Sequence, residues 1–339
     1  MSTKQIIKKI IPSGIVKKYK KVKAWRLLKS DAIKQLKRYD SAFAKPGTQG
    51  RTQTEARVTF YAHQIEKGLS HGAFRMGFGQ AALKNLSVTL RELKITDPEY
   101  RENVIYWSAL AALREYRIRH EAVHFDISDS IALFPKDIWV DSQKADSHLG
   151  GSVTVTAASK ENNNQLPFER LFLGRRSVRE YSPQPVTKEE IQHAVEIAMK
   201  APSVCNRQPV RVYAITDKVV MKEALQLQGG FNGYPMPPVL FLITADNGAF
   251  LWPNERNEGF TDGGLFSMAL LLSLEANDLA ACPLNTMMSD EIDRKTRNLI
   301  GIPDDEFLVM YIAAGHFASK TKTCVSHRFP VKRILKYVG

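Results

Sequence analysis

Apolar residues recur at three- and four-residue intervals from Ile15 through Tyr19, Val22, Trp25, Leu28 and Ala32 to Leu36, with lysines filling the positions between them. That spacing predicts an amphipathic helix. Pro12-Ser13-Gly14 separates it from a first apolar and basic stretch around Ile6, Ile7, Ile10 and Ile11. Further helices are expected over Arg51 to Leu69, Gln80 to Leu93, and Pro98 to about Arg119. The last is introduced by Thr96-Asp97-Pro98-Glu99, which has the form of a capping box. These helices would form a small bundle covering the rest of the chain or a dimer partner. The polar stretch 141–165, with Gly150-Gly151 and Asn162-Asn163-Asn164, reads as a linker.

Beyond it the pattern changes. Thr187-Lys188-Glu189-Glu190 is a second capping box, opening a helix to about Lys200. Val210 to Thr216, Val239 to Thr244 and Phe307 to Ala314 are short β-rich runs, and Pro235-Met236-Pro237-Pro238 enters the second of them as extended chain. Phe266 to Ala276 is apolar on nearly all sides, which predicts a central buried helix. The expected fold is α+β, with a mixed central sheet between helices. The expected organisation is a basic arm (1–40), a helical extension (41–140), the linker, and the α+β domain (166–339).

Charge sharpens the view of the arm. The chain carries a net +13, and residues 1–40 hold thirteen basic side chains against Asp31 and Asp40, a net of +11. A basic amphipathic helix with an aromatic on its apolar side suits an anionic membrane surface. Packing of Tyr19, Val22, Trp25 and Leu28 on the protein's own helices explains the stripe equally well. Nucleic acid is the weaker reading of the partner, because no helix-turn-helix, zinc or RNA-binding motif accompanies the lysines. No run of about 18 apolar residues occurs, so no transmembrane helix is expected. Cys205, Cys282 and Cys324 are few and lack metal-ligand spacing, which suits a reducing cytoplasm and no metal site. The expected location is the cytoplasm, peripheral to the inner face of the membrane. Cys205 reads either as a redox-active thiol or as a small buried filler.

The densest chemistry is Arg175-Arg176-Ser177-Val178-Arg179, just before a helix, and the turn Ala201-Pro202-Ser203-Val204-Cys205-Asn206-Arg207-Gln208-Pro209 that follows that helix. Guanidinium groups offer planar forks of donors that match phosphate oxygens. An extended stretch would point Arg175, Ser177 and Arg179 the same way, whereas a helix would cluster Arg175 or Arg176 with Arg179. A solvated basic turn is the plain alternative for this motif taken alone.

Taken with Pro183-Gln184-Pro185-Val186, Asp262-Gly263-Gly264, Ala281-Cys282-Pro283-Leu284-Asn285, Ala314-Gly315-His316 and Arg328, the stretch from about Leu171 to Leu335 resembles the nitroreductase family of FMN-dependent oxidoreductases. The resemblance implies that Arg175, Arg176 and Ser177 meet the FMN phosphate and ribityl chain, with Arg328 closing on the phosphate. It implies that Arg179 stands beside the flavin pyrimidine edge. Asn206 and Gln208 would read the ring's rim or the ribityl, while Pro283, Leu284, Asn285 and Thr286 would pass near flavin N5. A homodimer, ping-pong transfer from NAD(P)H to a small organic acceptor, and no protein nucleophile are implied with it. Val210, Asn285 and Ser326 stand where many members carry an aromatic, an acidic and a basic residue, so the acceptor and reductant stay unspecified.

His63-Gln64-Ile65-Glu66-Lys67-Gly68-Leu69 and Arg75-Met76-Gly77-Phe78-Gly79 resemble the N-terminal extension of a subgroup found with bacterial cell-surface polysaccharide functions. His63 is a candidate proton donor, its ordinary pKa lying near neutrality, and ordinary helix-end packing is the alternative. Phe78, flanked by glycines, is placed to approach a flavin or substrate. A non-catalytic flavin-binding or scaffold protein at the membrane surface is the rival to an enzyme.

Overall fold

A computed structural model describes residues 12–45, 47 and 50–339, so the stretch around Ile6 to Ile11 lies outside the described residues. The arm is helix α1 (Ser13–Ala42), and none of its residues is buried. Ile15, Tyr19, Trp25 and Leu36 are each more than half exposed, so the apolar stripe is open rather than packed on the chain's own helices. The arm touches the body through Gln35, whose Oε1 accepts from Arg256 Nη2 at 2.7 Å and Asn257 Nδ2 at 3.1 Å.

The extension contains α2 (Arg51–Leu69), α3 (Gln80–Thr96), α4 (Val104–Glu121), α5 (Ser128–Ala132) and α6 (Lys136–Gln143). Val58, Ile65 and Leu69 of α2 meet Leu83, Leu86 and Leu90 of α3 and Leu110 and Leu113 of α4 in a core closed to water. The Thr96 to Glu99 sequence does not cap a helix. The Asp97 carboxylate is taken by Asn103 Nδ2 at 2.8 Å and by Arg51 at 3.0 Å, and α4 begins later, where Asn103 Oδ1 accepts from Ile105 N at 3.0 Å. Phe78 also departs from expectation. It packs against Gly68 inside the bundle, in edge contact with Phe74 and Tyr116, because only a glycine at 68 leaves room for its ring.

Segment 141–165 is not a free linker. Asp141 and Ser142 are buried, and β1 (Ser152–Val155) follows. Then come α7 (Phe168–Gly174), α8 (Lys188–Ala198), β2 (Val210–Ile215), α9 (Lys218–Gln228), β3 (Val239–Asp246), α10 (Glu258–Ala276), β4 (Leu279–Leu284), α11 (Asp290–Ile300), β5 (Glu306–His316) and β6 (Thr321–Cys324). β1 pairs antiparallel with β6, which ties the supposed linker to the end of the chain. Thr187 caps α8 as expected, its hydroxyl accepting from Glu190 N while the Glu190 carboxylate accepts from Thr187 N.

The larger sheet has the order β2-β3-β5-β4, antiparallel at every pairing. Among the described residues the parallel contribution to this mixed pattern is a single bridge, Ser177 to Ala281. β3 is buried on both faces. Val239, Phe241 and Ile243 pack with Phe266, Leu270 and Leu274 of α10, while Leu240 and Leu242 pack with Met221 and Leu225 of α9. Alternate side chains thus feed two cores from one strand.

Candidate functional site

The arginine segment lies along the outer edge of β4. Val178 N donates to Ala281 O at 3.0 Å, and Val178 itself is fully buried. The segment is not helical, so the helical clustering of Arg175 or Arg176 with Arg179 does not form. Arg175, Arg176, Ser177 and Arg328 line one cavity of about 510 Å³ together with His148 and Cys324, and no acidic side chain lines it. Arg176 is steadied by donating Nη1 to Val325 O at 3.0 Å, and Arg328 donates to Ser326 O. Arg175 Nη1 and Arg179 Nε are buried with no hydrogen-bond partner. Buried donors without partners are costly and uncommon, so these two nitrogens mark where an acceptor belongs.

Arg179 is 8% exposed. Its Nη1 reaches Ser177 O at 3.4 Å and Cys324 Sγ at 3.7 Å, and its guanidinium lies 5.8 Å from the Tyr234 ring centre. Behind Arg175, Lys160 Nζ lies 2.5 Å from Glu275 Oε1 and 2.6 Å from Gly174 O. Burial pulls the Arg175 pKa down, with the Glu275 charge opposing it. Burial likewise raises the Glu275 carboxyl, against the pull of Lys160.

At the end of β4, Pro283 pairs with Ile312 on an edge strand, where a missing donor costs little. Leu284 is buried, and Asn285 is exposed. Asn285 Oδ1 accepts from Met287 N at 3.1 Å, its backbone O accepts from Gln228 Nε2 at 3.2 Å, and Thr286 Oγ1 donates to Val309 O at 3.0 Å.

The amide turn is built differently. Cys205, Asn206 and Gln208 have φ of 48°, 54° and 49°, in the left-handed region. The turn is held by Asp262, whose carboxylate accepts from Val204 N at 3.2 Å, and by Ser203 Oγ, which accepts from Gln208 N at 3.0 Å. Gln208 lines a second hollow of about 400 Å³ with Ser203, Val210 and Phe266. Within one chain, then, Asn206 and Gln208 are not brought into the Arg175 cavity. Cys205 is exposed, which removes the buried-filler reading.

His63 pairs through Nδ1 with Glu66 Oε2 at 3.0 Å, and Glu66 Oε1 accepts from Gly151 N at 3.1 Å. It lines a cavity of about 150 Å³ whose wall includes Arg328 and Phe329. It stands on the Arg328 side of the site, its ring nitrogen held by Glu66. Ligand atoms of His63, Glu66 and Cys324 fall within 4.8 Å of one another. Burial pushes the Cys324 thiol up to about 11, so it is protonated at neutral pH.

Three side chains gather here that the sequence did not mark as a site. Tyr234 OH donates to Lys67 O at 3.0 Å, the His71 ring stacks on Tyr234 at 3.8 Å between centres, and Lys67 Nζ donates to Gly230 O at 3.0 Å. The visible signal was Lys67 itself, in the segment already singled out around His63.

Comparison with known proteins adds the following. Residues 173–232 match the family described as "Nitroreductase family". An "FMN reductase [NAD(P)H]" of Bacillus subtilis is 37% identical over 71 residues, 21% of this chain and 28% of its own length. The chain thus spans under a third of that relative. An "NADH dehydrogenase" of Thermus thermophilus is 26% identical over 201 residues, 50% of this chain and 95% of its own. Among solved structures, the hypothetical oxidoreductase YcnD of Bacillus subtilis aligns over 50% of this chain and 74% of its own at 22% identity, with a TM-score of 0.44.

Proposed function

We propose that this chain, whose residues 173–232 match the nitroreductase family, is an FMN-dependent NAD(P)H oxidoreductase. The observation that carries the proposal is the buried, unpartnered nitrogen of Arg175 at a cavity whose lining carries no carboxylate, with a second such nitrogen on Arg179, whose Nη1 reaches the Cys324 that lines the same cavity. This donor set fits a phosphate and the electron-rich edge of a flavin. When bound, FMN supplies a ring that accepts a hydride from NAD(P)H and passes it to an acceptor. In this reading Arg175, Arg176, Ser177 and Arg328 hold the phosphate and ribityl. Arg179 balances negative charge at the pyrimidine edge. The backbone of Pro283, Leu284, Asn285 and Thr286 borders the reacting side. His63 is a proton donor only to an acceptor reaching the Arg328 side. A small organic acceptor in cell-surface polysaccharide metabolism rests on the resemblance of residues 63–79 alone.

The functional unit in this reading is a homodimer. Phe260 and Leu265 of α10 are exposed at 52% and 45%, and the second hollow beside Phe266 holds Gln208 away from its own chain's cavity. A second copy would supply Asn206 and Gln208 to that cavity. The test is the visible spectrum of purified protein given FMN, then NADH or NADPH without oxygen, with light scattering on the same sample. Flavin absorption that bleaches supports the reading. Bound but irreducible flavin favours the scaffold alternative, and a coloured monomer removes the partner's amides from the site.

The arm is proposed to lie on an anionic membrane surface. The open Ile15, Tyr19 and Trp25 stripe beside lysines supports this. No helix among the described residues is long and apolar enough to cross a membrane. The intact chain is expected to float with phosphatidylserine vesicles, and a variant lacking residues 1–40 to stay behind. Equal flotation of the two would end the anchor reading.

A further inference from the structure

The last turn of α2 carries a cation out of the helical extension and into the α+β domain. Lys67 Nζ is anchored by Gly230 O at 3.0 Å, a carbonyl 163 positions away in sequence. The neighbouring backbone is clamped in the same direction. Ser70 Oγ pairs with Tyr234 OH at 3.0 Å, and Gly72 N donates to Glu180 Oε1 at 2.7 Å, one residue beyond Arg179.

Lys67 is half-buried and Arg179 buried, and Tyr234 joins them: its OH donates to Lys67 O at 3.0 Å and its ring centre lies 5.8 Å from the Arg179 guanidinium. Burial first, and the charge of Arg179 second, pull the Lys67 pKa below its ordinary value. The acids nearby do not answer these charges: Glu66 is committed to His63 and Gly151, and Glu180 to Gly72. The thiols do not answer them either. Burial raises both Cys282 and Cys324, leaving them protonated at neutral pH. Among the described residues the hydrogen bond shown for the Lys67 ammonium is to a carbonyl, and Arg179 Nε has none. Like charges buried together without a counter-ion are strongly unfavourable. A ligand that brings negative charge resolves the cost.

We propose that Lys67, delivered by the helical extension, joins Arg179 as a second cation on the flavin's pyrimidine side, so that the extension is part of the active site. The proposal rests on the FMN reading above. Uptake of a hydride by the neutral oxidised ring leaves one negative charge on it, and two cations then favour the reduced form over the oxidised one. Lys67 is a cofactor-contacting residue in this assignment, and Gly230 and Tyr234 are its positioning groups.

The experiment is a measurement of the two-electron midpoint potential of FMN bound to the full-length chain, alongside the FMN dissociation constant. Wild type, Lys67→Met and Lys67→Arg are compared. Lys67→Met is expected to disfavour the reduced form by at least about tenfold, a fall of about 30 mV for two electrons. Lys67→Arg should restore most of the loss. Where Lys67→Met does not fold, Lys67→Gln takes the same measurement. A wild-type potential retained in the folded uncharged variant overturns the proposal while FMN binding stands. A wild-type chain that takes up no FMN overturns the cofactor reading and this proposal with it.

Discussion

Arg175→Ala is expected to yield a folded, colourless protein whose affinity for FMN is lower by roughly 100-fold. Each hydrogen bond from a charged group contributes about 1.5–3 kcal/mol, so loss of one or two amounts to about 3 kcal/mol, or about two powers of ten in affinity. The buried, unpartnered Nη1 makes Arg175 the side chain with most to gain from a phosphate oxygen. Because burial already disfavours its charge, its removal should leave the fold intact or slightly more stable. Arg176→Ala is the contrast: its guanidinium is satisfied by Val325 O, and a smaller loss is expected. Fluorescence titration of FMN against both variants, with melting temperatures measured in parallel, checks this. Equal affinity in Arg175→Ala and wild type would remove Arg175 from the phosphate site.

How much of this was legible beforehand depended on whether the signal was local. The cap at Thr187 and the strands at Val239 and Phe307 rest on residues close in sequence, and they form where the pattern places them. Thr96-Asp97-Pro98-Glu99 carried the same local signature and failed, because Thr96 is the last residue of α3, its hydroxyl donating back to Glu92 O at 3.1 Å, while Arg51 and Asn103 hold the Asp97 carboxylate. Segment 141–165 has the composition of a loop, yet Ser152 to Val155 find a strand partner at Thr321 to Cys324 that no window around residue 150 contains. Asn206 and Gln208 are a case of another kind. Their turn forms, but one chain does not close it over the arginines. Long-range contacts between distant segments are what local spacing omits, and the link from Lys67 to Gly230 is one of them.

The other large effect expected is on stability, and it comes from such a contact. Glu275→Ala should cost roughly 3–5 kcal/mol, because it leaves the Lys160 ammonium charged in a buried site without its partner. Lys160 is 8% exposed and Glu275 2%. Their contact holds the segment after β1 against the C-terminal turns of α10, helped by Asn163 Nδ2 donating to Glu275 O at 2.9 Å. Lys160 also donates to Gly174 O, the residue before Arg175, so the pair fixes the floor from which the arginine segment departs. A buried pair need not be net stabilising, since desolvation opposes attraction, and the raised carboxyl of Glu275 shows that opposition. Lys160→Met combined with Glu275→Leu should therefore recover most of the stability lost in the single variant, because it removes both buried charges and keeps the volume. Urea unfolding of the single and double variants separates these terms. A double variant as unstable as Glu275→Ala would mean that the hydrogen bond from Lys160 to Gly174 O, rather than the pair's charges, holds this corner of the fold.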